Sequence, residues 1–177
     1  MSPLHFRFAE NEIKALLDTM VMIVDTREQK NRHILEYFDK KKVPYMHRGL
    51  KTGDYTAMLP KNDELGIPRD LFLPGLIERK NSVNELVESI KDRTRFENEL
   101  IRGARQPFTM IVEDADGYEK ILKGDYISKY TPQALLGSLK TFEARYGFTT
   151  VFLSPQFSGN YIYHHFYYMA REAMKGA

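Results

Sequence analysis

The sequence predicts an α/β sandwich, and two observations lead there. Apolar runs of strand length recur along its 177 residues, among them residues 20–24, 73–77 and 108–112. Between them lie stretches in which apolar residues return every three or four positions, the spacing of one helix face. Strands alternating with helices in a chain of this length fit one domain, residues 1–177, able to bury a real core.

From the N-terminus, Ile13, Leu16, Leu17 and Met20 fall at helical spacing, so a helix precedes a first strand over residues 21–25. Asn31 can cap a second helix with Ile34, Leu35 and Phe38 as its stripe, and Pro44 marks its end before a strand over residues 45–48. Residues 53–59 read as the next strand. Residues 60–74 hold three prolines, a glycine and mixed charges, which reads as a loop or hairpin tip; its place between two acid-bearing strands suggests that it reaches over bound substrate. A strand ending at Lys80 comes next. Ser82-x-x-Glu85 reads as a capping box opening a helix of Val83, Leu86, Val87 and Ile90, and Phe96, Leu100 and Ala104 mark another. After the strand at 108–112, Thr131-Pro132 starts a helix carrying Leu135, Leu139 and Phe142, Gly147 stops it, and residues 149–153 form a late strand. Residues 161–174 form a last helix with Ile162, Phe166, Met169, Ala170 and Ala173 toward the core.

Three of these segments carry acids and cations where a phosphodiesterase would use them: Asp25-Thr26-Arg27-Glu28, Gly53-Asp54-Tyr55 and Glu78-Arg79-Lys80. Mg²⁺ prefers oxygen ligands and keeps several waters, so one or two carboxylates plus a substrate phosphate suffice to hold it. Side chains alternate along a strand, which sends Glu78 and Lys80 to one side and Arg79 to the other. Glu78 can then hold the ion while Lys80 orients, or helps deprotonate, the attacking water. Asp54 would complete the metal shell, with Asp25 and Glu28 at its mouth as ligands or as groups that orient them.

The order Val24-Asp25-x-x-Glu28, Gly53-Asp54-Tyr55, Glu78-Arg79-Lys80 resembles the nuclease domain of the XPF/Hef structure-specific endonucleases, members of the restriction-endonuclease-like superfamily. The resemblance runs from about Val21 into the C-terminal helices, and three motifs in the right order make it specific. It implies a restriction-endonuclease-like three-layer α/β/α fold with a central mixed sheet, Mg²⁺ or Mn²⁺ as cofactor, and dimerisation of the domain. Arg95-Phe96-Glu97 is similar to the family's arginine-containing segment on the following helix. One position departs: where the family pattern has an aspartate four residues after the lysine, this chain has Asn84, which brings no charge. The capping box accounts for Glu85, which is therefore not counted as a ligand. Neither a helix-hairpin-helix module nor a helicase domain is expected, so recognition of DNA structure falls to a dimer, to the 60–74 loop or to a separate targeting partner.

Other features have plainer readings. Glu113-Asp114-Ala115-Asp116 comes after a strand and is read as capping the next helix, and a second Gly-Asp-Tyr at residues 124–126 lacks a following Glu-x-Lys. His164 and His165 are adjacent on a helix and point about 100 degrees apart, which disfavours shared ligation. Tyr163, Tyr167 and Tyr168 lie off the core face of the last helix, which favours a homodimer through the C-terminal helices. The absence of cysteine excludes disulfides and cysteine-ligated metals, and the formal charge of +2 does not announce nucleic acid. Residues 27–51 hold eight Lys or Arg against three acids, either a phosphate-facing surface or, for Lys40-Lys41-Lys42, a solvated helix end. No leader or bilayer-length apolar stretch is evident, so a soluble cytoplasmic protein is expected.

The expected function is a Mg²⁺- or Mn²⁺-dependent endonuclease cutting branched or single-strand/double-strand junction DNA, in repair or recombination. Asp54 and Glu78 hold the metal with help from Asp25 and Glu28, Lys80 serves the water and phosphate, Arg79 braces the site, and Arg27, Lys51 and Arg95 touch phosphates. A catalytically silent DNA-binding subunit is the main alternative. A small-molecule-binding α/β domain comes last, because no glycine-rich phosphate loop is present.

Overall fold

A computed structural model describes residues 8–175. A seven-stranded mixed sheet runs through the molecule in the order β2-β1-β3-β5-β6-β7, with β4 paired to β3. Its strands are β1 (Val21–Val24), β2 (Tyr45–His47), β3 (Tyr55–Leu59), β4 (Leu71–Phe72), β5 (Leu76–Lys80), β6 (Phe108–Val112) and β7 (Thr149–Phe152). β1 pairs parallel with β2, and β5, β6 and β7 are parallel to one another, while β3 is antiparallel to both β1 and β5.

Helices cover both faces because each sheet face is apolar. On one side α1 (Glu10–Asp18), α2 (Arg32–Lys41) and α7 (Ser158–Lys175) close over Met22, Val24, Tyr55, Ala57, Ile77 and Ile111. On the other, α3 (Val83–Lys91), α4 (Arg93–Gly103), α5 (Gly117–Lys123) and α6 (Pro132–Tyr146) close over Leu76, Met110 and Val112. Strands buried on both sides read as continuous apolar runs, which is why they are visible in the sequence. Helix ends follow local chemistry: Ser82 and Thr131 accept backbone N–H groups from Glu85 and Ala134, and Gly124 and Gly147 take the left-handed conformation after α5 and α6.

Several expectations are corrected. The 60–74 segment is a β-hairpin arm: β4 pairs with the end of β3, and Leu73 N–H donates to Ala57 C=O at 2.9 Å. β3 runs away from Asp54 and β5 returns toward Lys80, so this arm sits at the opposite end of the sheet and does not cover the acids; five residues of strand separate the two by about 17 Å. Asn31 makes no side-chain cap bond and is buried. Glu85 accepts the N–H of Asn81 at 2.8 Å, one residue before the cap, so the box is offset. On α7 the buried face includes Met174, and Ala173 is exposed. Tyr163 and Tyr167 pack against the core of their own chain because α1 and α2 flank α7, which leaves Tyr168, 57% exposed, as the outward ring of that group. His164 Nδ1–H donates to Asn160 C=O at 2.9 Å, whereas His165 stacks on Tyr161.

Candidate active site

Three backbone bonds set the frame of the site. Asp25 N–H donates to Asp54 C=O at 2.8 Å, Asp54 N–H to Ile77 C=O at 2.8 Å, and Glu113 N–H to Lys80 C=O at 2.9 Å. The carboxyl ends of β1, β5 and β6 thus lie beside the start of β3, and four strands deliver their end residues to one edge of the fold. Gly53 makes the turn into Asp54 with φ +74°, a left-handed conformation that a side chain resists. A Cβ there would also stand 3.2 Å from Leu76 Cβ.

Alternation along β5 then divides the charges between the two sheet faces. Glu78 and Lys80 face the α3 and α4 layer, where Lys80 Nζ donates to Glu78 Oε1 at 2.7 Å and lies 5.9 Å from the Phe96 ring centre. Arg79 faces the α2 layer. Its Nη1 donates to Glu113 Oε2 at 2.7 Å, and its Nη2 donates to Glu28 Oε1 at 2.6 Å and to Lys30 C=O at 3.0 Å. The other Glu113 oxygen is 2.6 Å from His33 Nε2. The Arg79 backbone N–H donates to Asp54 Oδ2 at 2.8 Å, so the brace and the acid share one residue. The planar guanidinium makes four bonds here, two of them a fork on Glu28, whereas a lysine has only three donors and no fork. It thereby ties the β1–α2 loop and the ends of β5 and β6 together.

A cavity of about 640 Å³ opens over this edge, and Asp54, Glu78, Lys80 and Glu99 border it. Its electrostatics are unfavourable to the bare acids. Burial pushes the Asp54 carboxyl up to about 7, with Glu28 and Glu99 adding to the rise and the Arg79 N–H working against it. Burial and then Asp54 push Glu78 well above the usual carboxylate range, against the pull of Lys80. Burial alone would lower Lys80, but Glu78, Glu99 and Asp54 outweigh it and hold the ammonium above its ordinary value. Lys80 therefore carries its charge at neutral pH, and what it can offer at the cavity is that charge and hydrogen bonds.

Asp54, Glu78 and Lys80 are thus brought together at the cavity, with Arg79 behind them. Asp25 is fully buried and does not border the cavity. Arg27 Nε donates to its Oδ2 at 2.9 Å, and although burial opposes it, these Arg27 bonds hold Asp25 below the usual range. Glu28 reaches the rim but is bonded to Arg79. Lys51 and Arg95 also line the rim, and neither makes an ion pair among the described residues. Arg27 lines it while paired with Asp25. Lys40, Lys41 and Lys42 sit at the far end of α2, so the basic 27–51 stretch is not one surface.

Sequence reasoning missed Glu99, Arg102, Glu113 and His33. Arg95, Glu99 and Arg102 fall at i, i+4 and i+7 on α4, a polar stripe beside the apolar one of Phe96, Leu100 and Gly103, and this periodicity is a signal that could have found them. Glu113 ends a strand as Asp25 does, but its position before a helix suggests a cap. In fact Asp114 makes that turn, accepting the N–H of Asp116 at 3.2 Å and pairing with Lys120.

The residues present suit the hard divalent ion that the resemblance implies. Among the described residues, no group of three acids or histidines is already gathered as a metal cage. The donors are all carboxylate oxygens, however, and the half-buried Asp54 raises the proton affinity of the buried Glu78, which a shared cation would relieve.

The ERCC4 domain family model matches residues 24–165. Among solved structures, the fold is similar to XPF from Aeropyrum pernix, with TM-score 0.59 and 18% identity over 86% of this chain and 61% of that one. XPF from Aeropyrum pernix in complex with DNA matches with TM-score 0.59 and 19% identity, covering 88% of this chain and 66% of that one. The chain therefore spans roughly three-fifths to two-thirds of the length of these structures. No curated protein matches. The chain belongs to the ERCC4 domain family and has the fold of an XPF-type nuclease domain.

Proposed function

We propose that this chain is a Mg²⁺- or Mn²⁺-dependent DNA endonuclease that cuts branched or single-strand/double-strand junction DNA. One observation carries the reading: two charge-crowded carboxylates, the half-buried Asp54 and the buried Glu78, stand beside Lys80 at the edge of an open cavity. Membership of the ERCC4 domain family supports it, as does the similarity to an XPF structure solved in complex with DNA.

Asp54 and Glu78 would hold the ion, which when bound supplies an acidified water and neutralises charge on the phosphate. Lys80 hydrogen-bonds the attacking water and stabilises negative charge as it accumulates on the phosphoryl oxygens. Arg79 keeps the Asp54 carboxylate in register through its N–H while its guanidinium holds Glu28 and Glu113. Asp25 and Glu28 contribute through water or by fixing Arg27 and Arg79. Lys51, Arg95 and Arg102 are, like Lys30, rim cations without an ion pair among the described residues, and these three would contact phosphates, joined by the exposed Arg27. Contacts of this kind read backbone shape and carry no base information, which suits a structure-specific enzyme. A homodimer through the C-terminal helices, or a separate targeting partner, belongs to the same proposal and is tested by sedimentation with and without branched DNA.

The decisive assay incubates end-labelled duplex, 3′-flap, fork and four-way-junction DNA with Mg²⁺, Mn²⁺ or chelator, using wild type and Glu78→Ala. Metal-dependent cutting near the branch, lost in the variant while DNA binding persists, is the expected result. Cutting retained by Glu78→Ala refutes the assignment; binding without cutting by wild type in either metal leaves the silent-subunit reading.

A further inference from the structure

We infer that Glu99 supplies the third carboxylate facing the divalent ion, and that position 84 has no part in the metal site. The inference rests on the metal-dependent reading above and extends it to a residue on α4.

The side chain at position 84 is already committed elsewhere. Asn84 stands on the first turn of α3, and its Oδ1 accepts the N–H of Ile127 at 2.8 Å, tying α3 to the loop after α5. It does not border the cavity. Its neighbour Glu85 reaches the rim, but the Asn81 N–H occupies one of its oxygens at 2.8 Å. Position 84 thus does structural work, and the charge missing there is not missing from the cavity.

Glu99 lies on the opposite wall and is held toward the site from two directions. Phe96, one turn earlier on α4, is buried beneath Lys80, with the ammonium 5.9 Å from its ring centre. Thr52 Oγ1 donates to Glu99 C=O at 3.4 Å, a long bond that links α4 to the turn carrying Gly53 and Asp54. The Glu99 side chain borders the main cavity and also an adjoining cleft of about 320 Å³ that Lys80 and Phe96 share. Among the described residues it has no ion-pair partner, although Arg95 and Arg102 are one turn away on the same helix. Three carboxylates against the single Lys80 ammonium leave two negative charges, the complement of one divalent cation. Mg²⁺ retains several waters, so Glu99 can engage the ion across one of them without a closed protein cage.

The test is Mn²⁺ binding without DNA, followed by calorimetry or by the electron-spin signal of free Mn²⁺, on wild type, Asp54→Ala, Glu99→Gln and Asn84→Ala. Thermal melts establish that each variant is folded. Glu99 is half-buried on α4 and glutamine matches its size and helix preference, so Glu99→Gln should fold. The expected result is loss of binding in Asp54→Ala, weakening of about tenfold or more in Glu99→Gln, and affinity within about twofold of wild type in Asn84→Ala. Unchanged affinity in Glu99→Gln beside loss in Asp54→Ala overturns the role of Glu99 and leaves the metal reading standing. Equal weakening in Asn84→Ala and Glu99→Gln overturns the exclusion of position 84. Full affinity in Asp54→Ala overturns the metal reading itself.

Discussion

Replacing Asp54 with asparagine should make the metal-free protein more stable while destroying the proposed activity. The folded state moves this carboxyl from an ordinary 3.8 to about 7, chiefly by burial. The unfolded chain releases the proton above about pH 4, whereas the folded chain keeps it until about pH 7. Between these values the unfolded state binds fewer protons, so stability falls as pH rises and the full cost is reached above pH 7. At about 1.4 kcal/mol per pKa unit the shift corresponds to roughly 4 kcal/mol at pH 8. Shared titration with Glu78 and residual hydration reduce the expected gain for Asp54→Asn to about 2 to 4 kcal/mol. At pH 5 only about 1 to 2 kcal/mol of it remains. Asparagine preserves the oxygen that accepts the Arg79 N–H, so the ladder is undisturbed. Thermal melts in chelator should show the variant melting higher than wild type by roughly 5 to 15 °C at pH 8, and by much less at pH 5. Added Mg²⁺ should raise the melting temperature of wild type and not of the variant. No gain at pH 8, or an equal gain at both pH values, refutes the argument that Asp54 is held in an unfavourable, cation-seeking environment.

The geometry carries three further expected outcomes. Arg79→Ala strands the buried Glu28 and Glu113 and should cost about 3 to 5 kcal/mol in urea denaturation, with cleavage lost in whatever fraction remains folded; a cost below about 1 kcal/mol contradicts the brace. Gly53→Ala forces a side chain into left-handed backbone against Leu76 and should destabilise by about 1 to 2 kcal/mol, with kcat reduced and DNA affinity kept, because it displaces Asp54; unchanged kcat argues against that coupling. Arg102→Ala should weaken binding of all DNA forms about equally and lower the salt-dependence slope by about one, whereas an effect confined to one sequence would speak against a phosphate contact.

The parts legible in the sequence are those governed by local pattern. Ile77, Ile111 and Val112 announce their strands because both sheet faces are covered, and Ser82, Thr131 and Gly147 mark helix ends through backbone chemistry that acts within a few residues. Alternation along Leu76–Lys80 also gives Glu78 and Lys80 the same face, a consequence of strand geometry alone. The place of the 60–74 arm is not legible, because the direction of β3 is a property of the sheet: an antiparallel strand delivers the succeeding segment to the far end. The tyrosines of α7 look surplus in the sequence because one helix does not reveal how widely its neighbours flank it.

By itself, then, the sequence determined the elements, the apolar faces and the residue types able to bind an ion and a phosphate, since these depend on periodicity and side-chain chemistry over short separations. Only the tertiary structure decided which charges meet. It sealed Asp25 with Arg27, gave Glu28 and Glu113 to Arg79, turned Asn84 toward Ile127, and set Glu99 on the wall facing Asp54 and Glu78. Except for Asp25 with Arg27, these partners are separated by about 20 or more residues, and strand order and helix docking bring them together.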